Sequence, residues 1–152
     1  TSQTSLSVND PVLVAAYPAG FLSDRSVHNA LYPITTITTI KTLYTFVKET
    51  LDLISLGGNP VSQKGSSGGG TINSQGKLVA LIVTSTDAET TGDRELGAIT
   101  TAHISRSLLL NTGAPLSALL AQDPAQATQN FQDTVAPRLT AQLSAEYDKL
   151  SL

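Results

Sequence analysis

The sequence predicts a mainly β domain followed by C-terminal α-helices, and three observations carry that expectation. Segments dense in β-branched and aromatic residues, each bounded by glycine- or proline-containing turns, recur through roughly the first hundred positions. Charged residues make up only 14% of the chain, against about a quarter in a typical globular domain, and serine and threonine fill much of the gap. From His103 onward the pattern changes to apolar residues at helical spacing.

Residues 11–17, PVLVAAY, form a short apolar run that ends at the turn signal Pro18-Ala19-Gly20. Residues 31–47, LYPITTITTIKTLYTFV, include seven successive threonines and isoleucines between 34 and 40. Ile34, Ile37 and Ile40 lie near a helical period, but β-branched residues favour extended backbone, so one strand, or two with a bend, is expected. A short strand at 51–56, LDLISL, stops at the breaker Gly57-Gly58-Asn59-Pro60. Residues 70–73 and 77–85 read as a hairpin around Ser74-Gln75-Gly76, residues 86–95 as a polar loop, and 96–102 as one more strand.

In the last third, Ile104, Leu108 and Leu109 share one helical face that ends near Asn111-Thr112-Gly113. Residues 115–122, PLSALLAQ, suit a short helix with proline in its first turn. Asp123-Pro124 caps a longer helix running toward Leu150, with a kink or break expected at Pro137. Phe131, Val135, Leu139, Leu143 and Tyr147 give that helix an apolar stripe.

Composition narrows the function classes. A net charge of −3, nine scattered Lys and Arg and few aromatics argue against nucleic-acid binding. The absence of cysteine removes disulfides, thiolate metal sites and a cysteine nucleophile. No run approaches the roughly 18 apolar residues of a membrane span, and no metal or cofactor is expected. The polar opening TSQTSLSV, without an initiator methionine, reads as the interior of a longer, processed chain, and an extracytoplasmic location is expected.

The stretch KGSSGGG at 64–70 admits three readings. A flexible linker should separate autonomous units, whereas this one lies between a strand and a hairpin. A phosphate loop needs its lysine after the glycines and a helix to follow, and here the lysine comes first and a strand follows. A turn presenting a nucleophilic serine needs glycines that permit positive φ, so that successive N–H groups converge on a developing oxyanion. Strands on both sides would make such a turn rigid.

Gly65-Ser66-Ser67-Gly68-Gly69-Gly70 is similar to the Gly-Asp/Asn-Ser-Gly-Gly-Pro signature of trypsin-like (chymotrypsin-fold) serine proteases, and looks most like their bacterial HtrA/Deg-type branch. SVNDPVLVAAYPAGF (7–21) resembles the strand and turn that open the second β-barrel of that branch. NSQGKLVALIV (73–83) resembles the hairpin after the nucleophile, and ELGAITTAHISRSL (95–108) the strand and helix beyond it. The resemblance implies a second, six-stranded chymotrypsin-like barrel over residues 1–110 with a helical extension over 111–152. Residues past 110 match nothing in the family, and no PDZ domain is evident.

Carried over residue by residue, the resemblance implies Ser67 as nucleophile and the N–H groups of Gly65 and Ser67 as the oxyanion hole. Ser66 stands where the family has Asp or Asn, so activation through a newly cleaved N-terminus cannot operate. Gly70 replaces a proline and leaves the turn less stiff. Val61, six residues before Ser67, would floor the primary specificity pocket and select small or medium apolar side chains. Ile82, Val83 and Thr84 would be the edge strand that pairs with substrate backbone.

The family's base is a histidine oriented by an aspartate, and both come from a first barrel upstream. Neither His28 nor His103 matches a family catalytic position, and both read as ordinary polar or capping histidines. Asp87, Glu89 and Asp93 read as solvated loop residues. The expected function is therefore the C-terminal portion of a serine endopeptidase, inactive alone, whose partners are an N-terminal protease barrel and a peptide or protein substrate. The alternative is an inactive protease-like barrel serving as a binding or assembly module. Homo-oligomers through the C-terminal helices are a further possibility.

Overall fold

The computed structural model describes residues 5–18 and 32–150. The turn expected at Pro18-Ala19-Gly20 leaves these ranges at Ala19, and His28 lies outside them. The chain is mixed sheet and helix, in two compact units, Thr1–Ser107 and Leu108–Leu152.

The first unit holds seven strands: β1 (Pro11–Ala16), β2 (Ile34–Thr39), β3 (Thr42–Tyr44), β4 (Leu53–Ser55), β5 (Gly70–Asn73), β6 (Leu78–Ser85) and β7 (Leu96–Thr100). They form one antiparallel sheet in the order β2-β1-β5-β6-β7-β4-β3. β2 and β3 occupy opposite ends of that order, yet only Ile40 and Lys41 separate them in the chain. The Ile40 N–H donates to Asp10 O at 3.0 Å, on the β1 side, and the Lys41 N–H to Ser55 O at 2.8 Å, on the β4 side. A flat sheet cannot satisfy both bonds, so this one curls until its ends meet. The two strands with a bend expected over 31–47 are these.

Alternation then decides what fills the curl. Val12, Val14 and Ala16 of β1 point inward, and Leu13 and Ala15 outward. Ile40, Ile54, Leu56, Val61, Ile82 and Leu96 complete the core, with Ala80 and Ala98 among them. Ala98 lies opposite both Ile54 and Ile82, so a small residue separates two large ones and lets the narrow interior close without overpacking. β-bulges at Thr71/Ile72 and Ile82/Thr84 add local bends to the long strand β6.

Helix α1 (Thr101–Thr112) follows β7 directly, two residues earlier than the sequence pattern indicates. Thr100 ends the strand and caps the helix: its Oγ1 accepts the His103 N–H at 3.0 Å and donates to Leu51 O at 2.8 Å. Beside this junction Asp52, wholly buried, gathers donors from three segments. Its carboxylate accepts from the Phe46 N–H at 2.6 Å, the Thr50 hydroxyl at 2.5 Å and His103 Nδ1 at 2.7 Å, and it pairs with Arg106. The Phe46 ring meets the His103 ring edge-on, with centroids 5.4 Å apart. Burial opposes ionisation of Asp52, but the bonds from Thr50, His103 and Phe46 and the charge of Arg106 outweigh it and hold the carboxyl well below the usual carboxylate range.

In the second unit lie α2 (Leu116–Leu120), α3 (Pro124–Asn130) and α4 (Ala136–Leu150). Asp123 caps α3, its Oδ1 accepting the Ala125 and Gln126 N–H groups at 2.8 and 3.2 Å. The break expected at Pro137 does not occur. A π-helical turn at Phe131–Val135 joins α3 to α4, with the Ala136 N–H reaching back to Phe131 O. Proline lacks an N–H and its ring crowds the carbonyl four residues earlier, and the wider turn that contains that carbonyl gives the ring room.

Asp52→Asn should lower stability at pH 7 by about 2–4 kcal/mol, because a buried site rich in donors and positive charge loses its anion. A carboxyl held low in the native state stabilises fully above its unfolded value of about 4, and that contribution is lost as pH falls below this toward the native value. Urea unfolding of both proteins from pH 7 to pH 2 should therefore show the gap narrowing only below about pH 4. A gap that is constant with pH would contradict this account of Asp52.

Candidate functional site

The chain between β4 and β5 is built from its own polar side chains. Asn59 Oδ1 accepts the Val61 N–H at 2.9 Å, Ser62 Oγ accepts the Asn59 N–H at 3.0 Å, and the Ser62 hydroxyl and Asn59 Nδ2 both donate to Gly57 O. Asn59, Ser62 and Gln63 are buried, and every one of these bonds is local. A loop so cross-braced is a rigid base rather than a tether.

Two successive turns stand on that base. The Ser66 N–H donates to Gln63 O at 3.2 Å, and the Gly69 N–H to Ser66 O at 3.0 Å. Each turn has a glycine in its third position with positive φ, Gly65 at 93° and Gly68 at 87°, a conformation that side-chain-bearing residues adopt only at a cost. The second turn is stitched to β6, since the Gly68 N–H donates to Ile82 O and the Ile82 N–H to Gly69 O, both at 2.8 Å. Gly69 also lies flat against β1, where a Cβ would come within 2.6 Å of Ala15 O.

This geometry separates the two serines. Ser66 is buried, and its hydroxyl donates to Val61 O at 2.6 Å. Ser67, at the tip, is exposed and faces two clefts of about 400 and 410 Å³ on either side of the segment. Among the described residues, the N–H groups of Gly65 and Ser67 have no acceptor. A hydroxyl flanked by two unused N–H groups, over two clefts, suits a group that attacks a carbonyl and then holds its oxyanion.

Val61 and Ile82, both expected to face substrate, are buried. Val61 is fully buried in the core, so it offers no surface as a pocket floor; the chain doubles back through the Asn59 and Ser62 bonds and turns it inward. The cleft on that side is lined instead by polar groups, among them Gln63, Lys64, Asp87 and Arg94. Ile82 is 2% exposed, and both its backbone groups are taken by Gly68 and Gly69. The accessible edge begins one residue later. Among the described residues, β6 past Ile82 has β7 on one side only, and Val83, Thr84 and Ser85 line the first cleft. The bonds of Gly68 and Gly69 to Ile82 cause this one-residue offset.

Among the described residues, no histidine lines either cleft. His103 and its partner Asp52 sit at the opposite end of the β4–β7 pair, where they tie α1 to the sheet. Asp87, expected as a solvated loop residue, is exposed but lines the cleft; Asp93 accepts from Thr90 Oγ1 at 2.6 Å. Among the described residues no group of three or more His, Cys, Asp or Glu could hold a metal ion, and no helix is long and apolar enough to cross a membrane. Compared with known proteins, the chain matches no family model and no curated protein.

The serines should separate in stability as they do in geometry. Ser66→Ala removes a buried bond and should cost about 1–2 kcal/mol, whereas Ser67→Ala, at an exposed tip, should stay within about 0.5 kcal/mol of wild type. Denaturant titration of the two variants decides; equal losses would mean Ser67 is structural.

Proposed function

We propose that this chain is the nucleophile-bearing part of a serine endopeptidase with the trypsin-like, chymotrypsin-type fold. The observation that carries the reading is the exposed Ser67 hydroxyl, held at a turn whose Gly65 and Ser67 N–H groups are unspent. The strand order supports it as well. If β2 and β3 count as one bent strand, six strands follow one another around the curl, the number in a barrel of that family.

In this reading a peptide pairs with the open edge at Val83–Ser85, crosses Ser67 and leaves through the second cleft. Ser67 Oγ attacks the scissile carbonyl while a histidine takes its proton. The oxyanion is held by the N–H groups of Gly65 and Ser67. The proton passes to the leaving amine, and water then hydrolyses the acyl-enzyme. The histidine and its aspartate would come from an N-terminal barrel, since His103 is committed to Asp52 elsewhere. Removal of the histidine from such a triad typically lowers turnover on the order of a million-fold, so this chain without that barrel should be close to inert.

One observation favours a second reading, a protease-like barrel that binds peptides without cutting them: no histidine among the described residues reaches Ser67. A fluorophosphonate probe separates the two. Applied to the protein expressed with its full upstream coding sequence, it should label Ser67, and Ser67→Ala should abolish labelling. A folded protein that binds peptide but takes no label at Ser67 would establish the binding module instead.

A further inference from the structure

The cleft between Ser67 and the start of β7 contains a fixed cation. Arg94 is half-buried and pinned by main-chain carbonyls: Nη1 donates to Ser62 O at 2.9 Å, and Nε and Nη2 both donate to Ala88 O at 3.4 Å. Carbonyl oxygens fix the direction of a guanidinium without neutralising it. Among the described residues, no carboxylate lies within ion-pair distance of Arg94. The neighbouring acids are turned elsewhere, Asp93 toward Thr90 and Glu95 toward the Tyr44 hydroxyl. Lys64 adds a second positive charge to the lining, and exposed Asp87 is the one acid there among the described residues.

We infer that Arg94 is a specificity-determining residue, and that this cleft receives an acidic side chain, glutamate or aspartate, at the substrate position whose carbonyl lies at Ser67. The inference rests on the peptidase reading of the cleft and replaces the apolar preference that a Val61 floor would have imposed. A carboxylate entering the cleft meets an oriented guanidinium with donors to spare, and Lys64 reinforces the attraction. Gln63 narrows the choice no further, because its amide Nε2 donates to Thr91 Oγ1 at 3.4 Å. An apolar or basic side chain would leave Arg94 without an anion and would bring no compensating contact.

Product-like peptides test this without any catalytic step, since a peptide's terminal carboxylate occupies the place of the cut bond and its last side chain enters the cleft. A panel identical except for a last residue of Glu, Asp, Gln, Leu or Lys is titrated against this chain by calorimetry. The Glu peptide should bind roughly tenfold or more tightly than the Gln peptide, the margin of one charge-assisted hydrogen bond. That ratio should shrink with added salt, collapse in Arg94→Gln and survive in part in Arg94→Lys. Should Arg94→Gln fail to fold, Asp87→Asn serves in its place, and removal of a repelling acid should strengthen Glu binding several-fold. Equal affinity for Glu and Gln, tighter binding of Leu or Lys, or no binding by any peptide overturns the inference. Ser67 labelling by the fluorophosphonate probe is independent of these outcomes, so the peptidase reading can stand when the specificity assignment falls.

Discussion

Ile40 bonds to Asp10 and its neighbour Lys41 to Ser55, so a single run of chain serves both ends of the sheet. Such a bend needs a residue that points inward at the corner, and Ile40, with no exposed surface, anchors it. Once the ends are joined, the interior has a fixed and narrow width, and alanines at 80 and 98 become a requirement of packing rather than an accident of composition. The joined sheet also brings the loop after β4, the far end of β6 and the start of β7 to one rim. Every residue discussed as functional lies on that rim.

On the rim, stiffness comes from short-range polar bonds rather than from apolar burial. Asn59 and Ser62 bond within their own loop, Ser66 bonds back to Val61, and Gly68 and Gly69 are laced to Ile82. The side chains of Asn59, Ser62 and Ser66 thus each find a partner within five residues, which keeps the entropic cost of ordering the loop low. At the other end of β4 and β7, Asp52 does the opposite. It collects partners up to 54 residues away and fixes helix α1 to the sheet. The molecule has a local network where chemistry is expected and a long-range one where the fold is held.

Much of this was legible in the residues. The run of threonine and isoleucine at 34–40 marks a strand, Gly76 marks the hairpin turn with φ at 73°, and Asp123-Pro124 marks a helix start. The glycines of KGSSGGG mark a turn because only a few residue types tolerate the backbone they adopt. What stayed hidden has physical reasons. A motif offset of six residues carries no information on the loop's path, and the Asn59 and Ser62 bonds fold Val61 under. The edge begins at Val83 rather than Ile82 because Gly68 and Gly69, brought back by their own turn, take both backbone groups of Ile82. Asp52 and His103 are 51 positions apart, and no local pattern announces their pairing. Arg94 looked like one more charge in a polar loop, because its anchors, Ser62 O and Ala88 O, are main-chain atoms with no signature in sequence.

The overhang of β6 beyond β5 has a consequence for how the molecule coexists with its own kind. An unsatisfied strand edge does not distinguish a peptide from the edge of another copy, and long bare edges are where sheets add to one another. Here the bare stretch is three residues, Val83–Ser85, begun by a bulge and followed by the polar run Thr86–Asp87. That length allows a few backbone bonds to a threaded chain but is too short to nucleate a stacked sheet. The same truncation limits how far a second copy could pair along this edge of β6.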